Sequence, residues 1–300
     1  MILHATDNGV SWITLNRPQA MNALAADQRE RIISLLSEAS ADPGVRAVVI
    51  TATGRGFCAG ADLRGGSGGT GTPSGTSTDT GTSTSTSTST NGDGTGTSIS
   101  TGTKGSAATP ALRVPGDVAR LIRLGAQRLI TAVLDCEKPV IAAVNGTAAG
   151  LGAHLALACD LVIAAEQASF IEVFVRRGLV PDGGGAYLLP RLIGPQRAKE
   201  LMFFGDALPA AEAERLGLVN RVVPADDLER TARAWAERLA AGPTRALALT
   251  KQLVNASLDT DRATALTAEA AAQEINMTTA DAQEGVTSFA ERRTPRYRGL

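Results

Sequence analysis

The sequence predicts an α/β fold with a helical C-terminal part. Three observations lead there. Short apolar runs, Ala47-Val48-Val49-Ile50, Pro139-Val140-Ile141-Ala142-Ala143-Val144 and Leu161-Val162-Ile163-Ala164, read as strands buried on both faces. Between them lie segments whose apolar residues recur at helical spacing. From Gly185 onward the pattern is almost wholly helical, with residues 219–223 as a short candidate exception. Repeated strand–helix units followed by a helical tail indicate an α/β core with a helical appendage. The chain has 300 residues, 43% hydrophobic and 20% charged, which supplies ample apolar material for such a core.

Taken in order, residues 10–15 read as the first strand. Leu24, Ile32, Ile33, Leu35, Leu36 and Ala39 predict an amphipathic helix over 24–40, with Asn22 as its N-cap. Val118, Leu121, Ile122, Leu129, Val133 and Leu134 mark a second helix, and 151–158 a third. Pro195, Pro209 and Pro243 fall where later helices should start, in the first turn that tolerates proline. The expected division is a core over 1–200 and a helical region over 201–300. One segment departs from all of this. From 65 to about 109 the chain is almost only Gly, Ser and Thr. Without apolar side chains it cannot offset the entropy of ordering, so it is expected to be a flexible insertion in a surface loop.

Charge and composition exclude several function classes. The net charge is −1, so nothing draws the whole chain to nucleic acid or to a membrane surface. No stretch of about 18 apolar residues suggests a membrane span. The three cysteines, Cys58, Cys136 and Cys159, follow neither metal nor redox spacing. They fit a reducing compartment, and the N-terminus carries no signal-peptide pattern, so a cytoplasmic location is expected. No metal or separate cofactor is expected.

Two segments rich in Gly and Ala follow predicted strands: Gly54-Arg55-Gly56-Phe57-Cys58-Ala59-Gly60-Ala61-Asp62-Leu63 and Asn145-Gly146-Thr147-Ala148-Ala149-Gly150-Leu151-Gly152-Ala153-His154. Small residues let a ligand approach the backbone. The second segment also opens a helix, where free N–H groups favour developing negative charge. Each segment taken singly is equally what a tight turn against a strand looks like.

With their flanks, the two segments are far more specific. Leu15-Asn16-Arg17-Pro18 with Asn22-Ala23-Leu24, Phe57 to Leu63, Lys138 to Gly146, Leu155-Ala156-Leu157-Ala158-Cys159-Asp160, Leu188 to Gly194 and Phe289-Ala290-Glu291-Arg292-Arg293-Thr294-Pro295 occur in this order. On these motifs the chain resembles the crotonase superfamily, the enoyl-CoA hydratase/isomerase family, over essentially its whole length apart from the insertion. The resemblance implies a crotonase-type spiral of ββα units, a helical C-terminal trimerisation region, and a homotrimer or hexamer acting on an acyl-CoA thioester, with coenzyme A as part of the substrate. It also implies that the N–H groups of Ala61 and Leu151 form an oxyanion hole for the thioester enolate. Arg17, Ala59, Ala61, Phe289 and Arg292 fall at positions of coenzyme A contact in relatives.

The sequence departs from the hydratases at their two water-activating glutamates. These would fall at His154 and Phe174, and a phenylalanine neither holds nor ionises water. Glu172 is two residues away from the second position and reads as a solvated or ion-paired side chain. One acid remains in a functional place. Asp182, in Pro181-Asp182-Gly183-Gly184-Gly185, reads by itself as a helix N-cap. Together with Phe174, however, it resembles the ring-1,2-epoxyphenylacetyl-CoA isomerase branch, which shuttles protons on an aspartate here. A single carboxylate suffices to move a proton between two carbons of an enoyl chain. The expectation is therefore an acyl-CoA double-bond isomerase with Asp182 as acid/base and Phe174 excluding water. His154 is either a second acid/base, a hydrogen-bonding partner or a structural histidine. The alternatives are a hydratase with atypical residues and a non-catalytic acyl-CoA binder. A serine hydrolase built on Ser67 fails because Ser67 lies in the insertion. A dinucleotide site fails because Leu155 stands where the third glycine should be.

Overall fold

The computed structural model describes residues 1–62 and 114–300. The Gly/Ser/Thr-rich segment, with Leu63 and Ser67, lies outside the described residues. The chain opens with an antiparallel pair, β1 (Ile2–Asp7) and β2 (Val10–Leu15), turned at Asn8-Gly9, both in left-handed backbone. The helix α1 (Ala26–Ala41) follows. Three ββα units then succeed one another. The first is β3 (Ala47–Ala52), β4 (Gly56–Cys58) and a helix running from α2 (Asp117–Ile122) through a π-helical turn at Arg123–Gln127 into α3 (Arg128–Leu134). The second is β5 (Val140–Val144), β6 (Thr147–Ala149) and α4 (Leu151–Leu157). The third is β7 (Leu161–Ala165), β8 (Ser169–Ile171) and α5 (Gly185–Phe204).

In each unit the first strand joins a six-stranded sheet, ordered β1-β2-β3-β5-β7-β10, and the second joins a four-stranded sheet, ordered β4-β6-β8-β9. The part beyond residue 200 is not helical throughout. β9 (Ala207–Pro209) closes the small sheet and, after α6 (Ala210–Arg215), β10 (Arg221–Val223) closes the large one. The remainder is α7 (Leu228–Ala240), α8 (Thr244–Ser257), α9 (Arg262–Asn276) and α10 (Ala280–Ala290).

The apolar runs of the large sheet feed two cores because successive side chains leave opposite faces. Val48, Ile50, Val140 and Ala142 face the main core with the buried side of α1. Ala47, Val49, Ile141 and Ala143 face α7, whose Leu228, Ala232, Ala236 and Ala240 form a stripe of mostly small residues four apart. α8 is tied down by buried Lys251, which bridges the Asp160 carboxylate at 2.9 Å and the Val133 carbonyl at 3.0 Å.

Asn22 is not a helix cap. α1 begins four residues later, after Ala25, and Leu24 instead bridges to Ala61. Asn22 is buried in left-handed backbone (φ 55°), and its amide donates to the Thr53 and Gly56 carbonyls at 2.9 and 2.8 Å while accepting from the Arg17 N–H at 2.7 Å. It pins the 16–24 loop to the β3–β4 turn. Asn22→Ala strands these buried groups and should destabilise the fold by about 1–3 kcal/mol, read as a lower urea midpoint with an unchanged slope.

Candidate functional site

The site grows from the parallel pairing of β4 and β6, which sets Cys58 opposite Ala148. Three residues beyond each lie Ala61 and Leu151. A Cβ added to Gly60 (φ 105°) would sit 3.1 Å from the Ala149 carbonyl and 3.7 Å from the Leu151 nitrogen, so the chain leading into Ala61 passes directly over the Leu151 N–H. Residues 59–62 are held in that path by Ala59 N–H to Met21 O at 2.9 Å, Leu24 N–H to Gly60 O at 2.8 Å and Asp62 N–H to Leu24 O at 3.0 Å. Leu151 is the first residue of α4, where N–H groups have no intrahelical acceptor. Among the described residues, neither the Ala61 nor the Leu151 N–H donates to another protein group. Gly152 allows the close approach, since a Cβ there would lie 2.2 Å from the Cys58 carbonyl. Cys58 itself is inert, because burial pushes its thiol up to about 12.

A cleft of about 290 Å³ opens beside Ala61, lined by Gln19, Ala20, Met21, Ala23, Ala59, Asp62 and Arg177 as well. Ala59 and Ala61 thus line the same cleft. Arg17 stands at the edge, its guanidinium paired with Asp62 and donating to the Ala23 carbonyl at 3.4 Å. Phe289 and Arg292 do not join this cleft. Both are exposed, one at the end of α10 and the other just past it in left-handed backbone.

On the far side of Leu151 lies a buried polar cluster. His154 sits in α4, fully buried, one turn after Leu151. Its Nε2 lies 3.0 Å from the Glu172 carboxylate, and its ring stacks on Phe174 with centroids 5.3 Å apart. Glu172 is therefore hydrogen-bonded to His154 rather than solvated, and it is 5% exposed. Asp182 does not cap α5, whose N-cap is Gly184. Its turn packs on the cluster instead. A Cβ on Gly183 would lie 2.8 Å from Leu151 Cδ1 and 2.9 Å from His154 Nδ1, and one on Gly185 would lie 2.1 Å from His154 Nε2. The glycines after Asp182 are thus small because an imidazole lies against them. Burial pushes the Asp182 carboxyl above its ordinary range, with nearby His154 and Arg29 pulling the other way.

Arg29 was not singled out in the sequence. It lies half-buried on α1, donates to the Leu24 carbonyl at 3.0 Å, and is desolvated enough to lower its guanidinium pKa while it attracts Asp182. The signal was present. Arg29 shares the helical face of Ile32, Ile33 and Leu36, an unusual place for a charge.

Comparisons with known proteins bear on this arrangement. A family model described as enoyl-CoA hydratase/isomerase matches residues 5–87 and 115–299. The chain is 36% identical to a Rhodobacter capsulatus protein named "Probable enoyl-CoA hydratase", over 99% of the chain and 98% of that protein. It is 35% identical to the 1,2-epoxyphenylacetyl-CoA isomerase of Escherichia coli, with the same coverage. Among solved structures, an enoyl-CoA hydratase from Bacillus anthracis superposes with a TM-score of 0.79 at 32% identity, covering 100% of this chain and 99% of the other.

Proposed function

The chain belongs to the enoyl-CoA hydratase/isomerase family, with the crotonase-type fold and an acyl-CoA thioester as its class of substrate, and from that membership we propose that it is an enoyl-CoA double-bond isomerase using Asp182 as its proton carrier. The observation that carries this reading is the packing of the Asp182 turn against Leu151 and His154. It brings the backbone next to the partly desolvated Asp182 carboxyl against the side chain of Leu151, one of the two residues with a free N–H.

In the proposed reaction the thioester lies along the cleft past Ala59, with its carbonyl oxygen between the Ala61 and Leu151 N–H groups. Asp182 takes a proton from one carbon of the acyl chain. The two donors hold the dienolate, and Asp182 returns the proton to another carbon. Preorganised donors at a developing oxyanion are usually the largest single contribution to such catalysis. Phe174, buried against His154, keeps water from the intermediate. Arg17 serves the nucleotide end of coenzyme A, and Phe289 and Arg292 reach the coenzyme A of a neighbouring subunit in a trimer or hexamer. Their exposure in the single chain accords with that role.

One observation favours a second reading. Glu172 adds a buried carboxylate on His154, and with Asp182 this gives the two acid/base groups that hydration needs. A spectrophotometric assay separates the two. A 3-enoyl-CoA should gain the absorbance of the conjugated thioester, and a 2-enoyl-CoA should keep it. Loss of 2-enoyl-CoA absorbance instead makes the protein a hydratase, and tight binding without turnover of either makes it an acyl-CoA binder.

A further inference from the structure

His154 carries an imbalance that the reaction above does not use. Its Nε2 has a partner in Glu172, whereas its Nδ1 is buried with no hydrogen-bond partner among the described residues. That nitrogen lies against Gly183, the residue after Asp182, since a Cβ on Gly183 would lie 2.9 Å from it. An imidazole N–H left unpaired in such a place wastes a buried donor, whereas a lone pair costs less. A carboxylate beside Nε2 fixes the proton on that nitrogen and leaves Nδ1 as the acceptor. The ring has little freedom to turn, with Phe174 stacked on one side and the 183–185 backbone against its edge.

The geometry points to Glu172 as a positioning residue: it holds His154 in the Nε2–H form so that Nδ1 accepts a hydrogen bond from the protonated carboxyl of Asp182. The inference rests on the isomerase reading. When Asp182 has taken a proton from the acyl chain, that proton stays on the carboxyl and is shared with Nδ1 until it is returned. No proton leaves the site and no further reactant is needed. Among the described residues, two charged groups bear on the Asp182–His154 pair: Glu172 next to β8 and Arg29 on α1. Arg29 and a charged imidazole both favour ionised Asp182, and Glu172 with a neutral imidazole favours the protonated acid.

The chain has only two histidines, so imidazole nitrogen NMR of the whole protein yields two sets of signals, with His4 as the internal reference. His154 should show a protonated Nε2 and an unprotonated Nδ1 at neutral pH. The Nδ1 signal should follow the titration of Asp182, and that inflection should vanish in Asp182→Asn. In Glu172→Gln the neutral amide no longer fixes the Nε2–H form, so Nδ1 can carry the proton and donate to the carboxylate. That favours ionised Asp182, so the acidic limb of kcat/KM should move down by about one pH unit or more. A ring protonated on both nitrogens at neutral pH, a Nδ1 signal indifferent to Asp182→Asn, or an unmoved acidic limb with only a lower kcat each overturns the proposal. The NMR readouts require no turnover, so they fail or succeed separately from the isomerase assay.

Discussion

Asp182→Asn is expected to lower kcat/KM for isomerisation of a 3-enoyl-CoA by about 10²–10⁴-fold, the usual contribution of a positioned acid/base. The amide keeps the size of the side chain and can neither take nor return a proton. Steady-state kinetics at several pH values test the assignment further. The base form of Asp182 exists only above its pKa, and burial raises that pKa above the ordinary carboxylate range. Wild-type kcat/KM should therefore rise with pH through this elevated value and level off above it, and the variant's residual rate should lack that limb. Stability moves the opposite way. A carboxyl with a raised folded-state pKa destabilises the fold above that pKa, and the effect disappears below the unfolded value. Asp182→Asn should thus melt at or above the wild-type temperature at neutral pH, with the difference vanishing in acid. A variant that is inactive because it is less stable would contradict the role assigned to Asp182.

The second large effect concerns a backbone atom. Leu151→Pro removes one N–H at the first residue of α4, a position where a helix tolerates proline. The fold loses some buried side-chain packing and no intrahelical hydrogen bond. Loss of one oxyanion donor typically costs about 10²–10³ in kcat. Leu151→Ala, which keeps the N–H and removes a larger part of the packing, is the control. If the alanine variant loses as much kcat as the proline variant, the side chain rather than the N–H carries the effect, and the oxyanion assignment fails.

These expectations draw unequally on sequence and structure. The large-sheet strands of the three ββα units, β3, β5 and β7, were legible because a strand buried on both faces is apolar at every position, a purely local signal. β1 was missed because its residues from Leu3 onward are exposed, so no apolar pattern marks it. β9 was hidden for another reason: three residues ending in proline carry too little periodicity to announce a strand. Asn22 was misread because a polar residue before an amphipathic segment suits a cap as well as it suits a buried staple. Only the position of the β3–β4 turn separates the two. The candidate site divides in the same way. Ala59, Ala61 and Leu151 were found through motifs of contiguous residues, and their meeting follows from the pairing of β4 with β6.

By itself the sequence determined the α/β class, the order of the main elements, the two backbone segments that supply free N–H groups, and Asp182 as the acid left where the glutamates are missing. The class and the order of elements rest on strand and helix periodicity among residues close together in the chain, whereas the N–H donors and the place of Asp182 came from motifs that resemble the family. Tertiary packing alone decided that Glu172 turns inward onto His154, that Phe174 stacks on the same ring, and that Arg29 of α1 comes near enough to Asp182 to attract its carboxylate. Those partners lie from 18 to more than 150 residues apart along the chain. What joins them is burial: charged and polar groups removed from water must find one another, and the fold settles which of them meet.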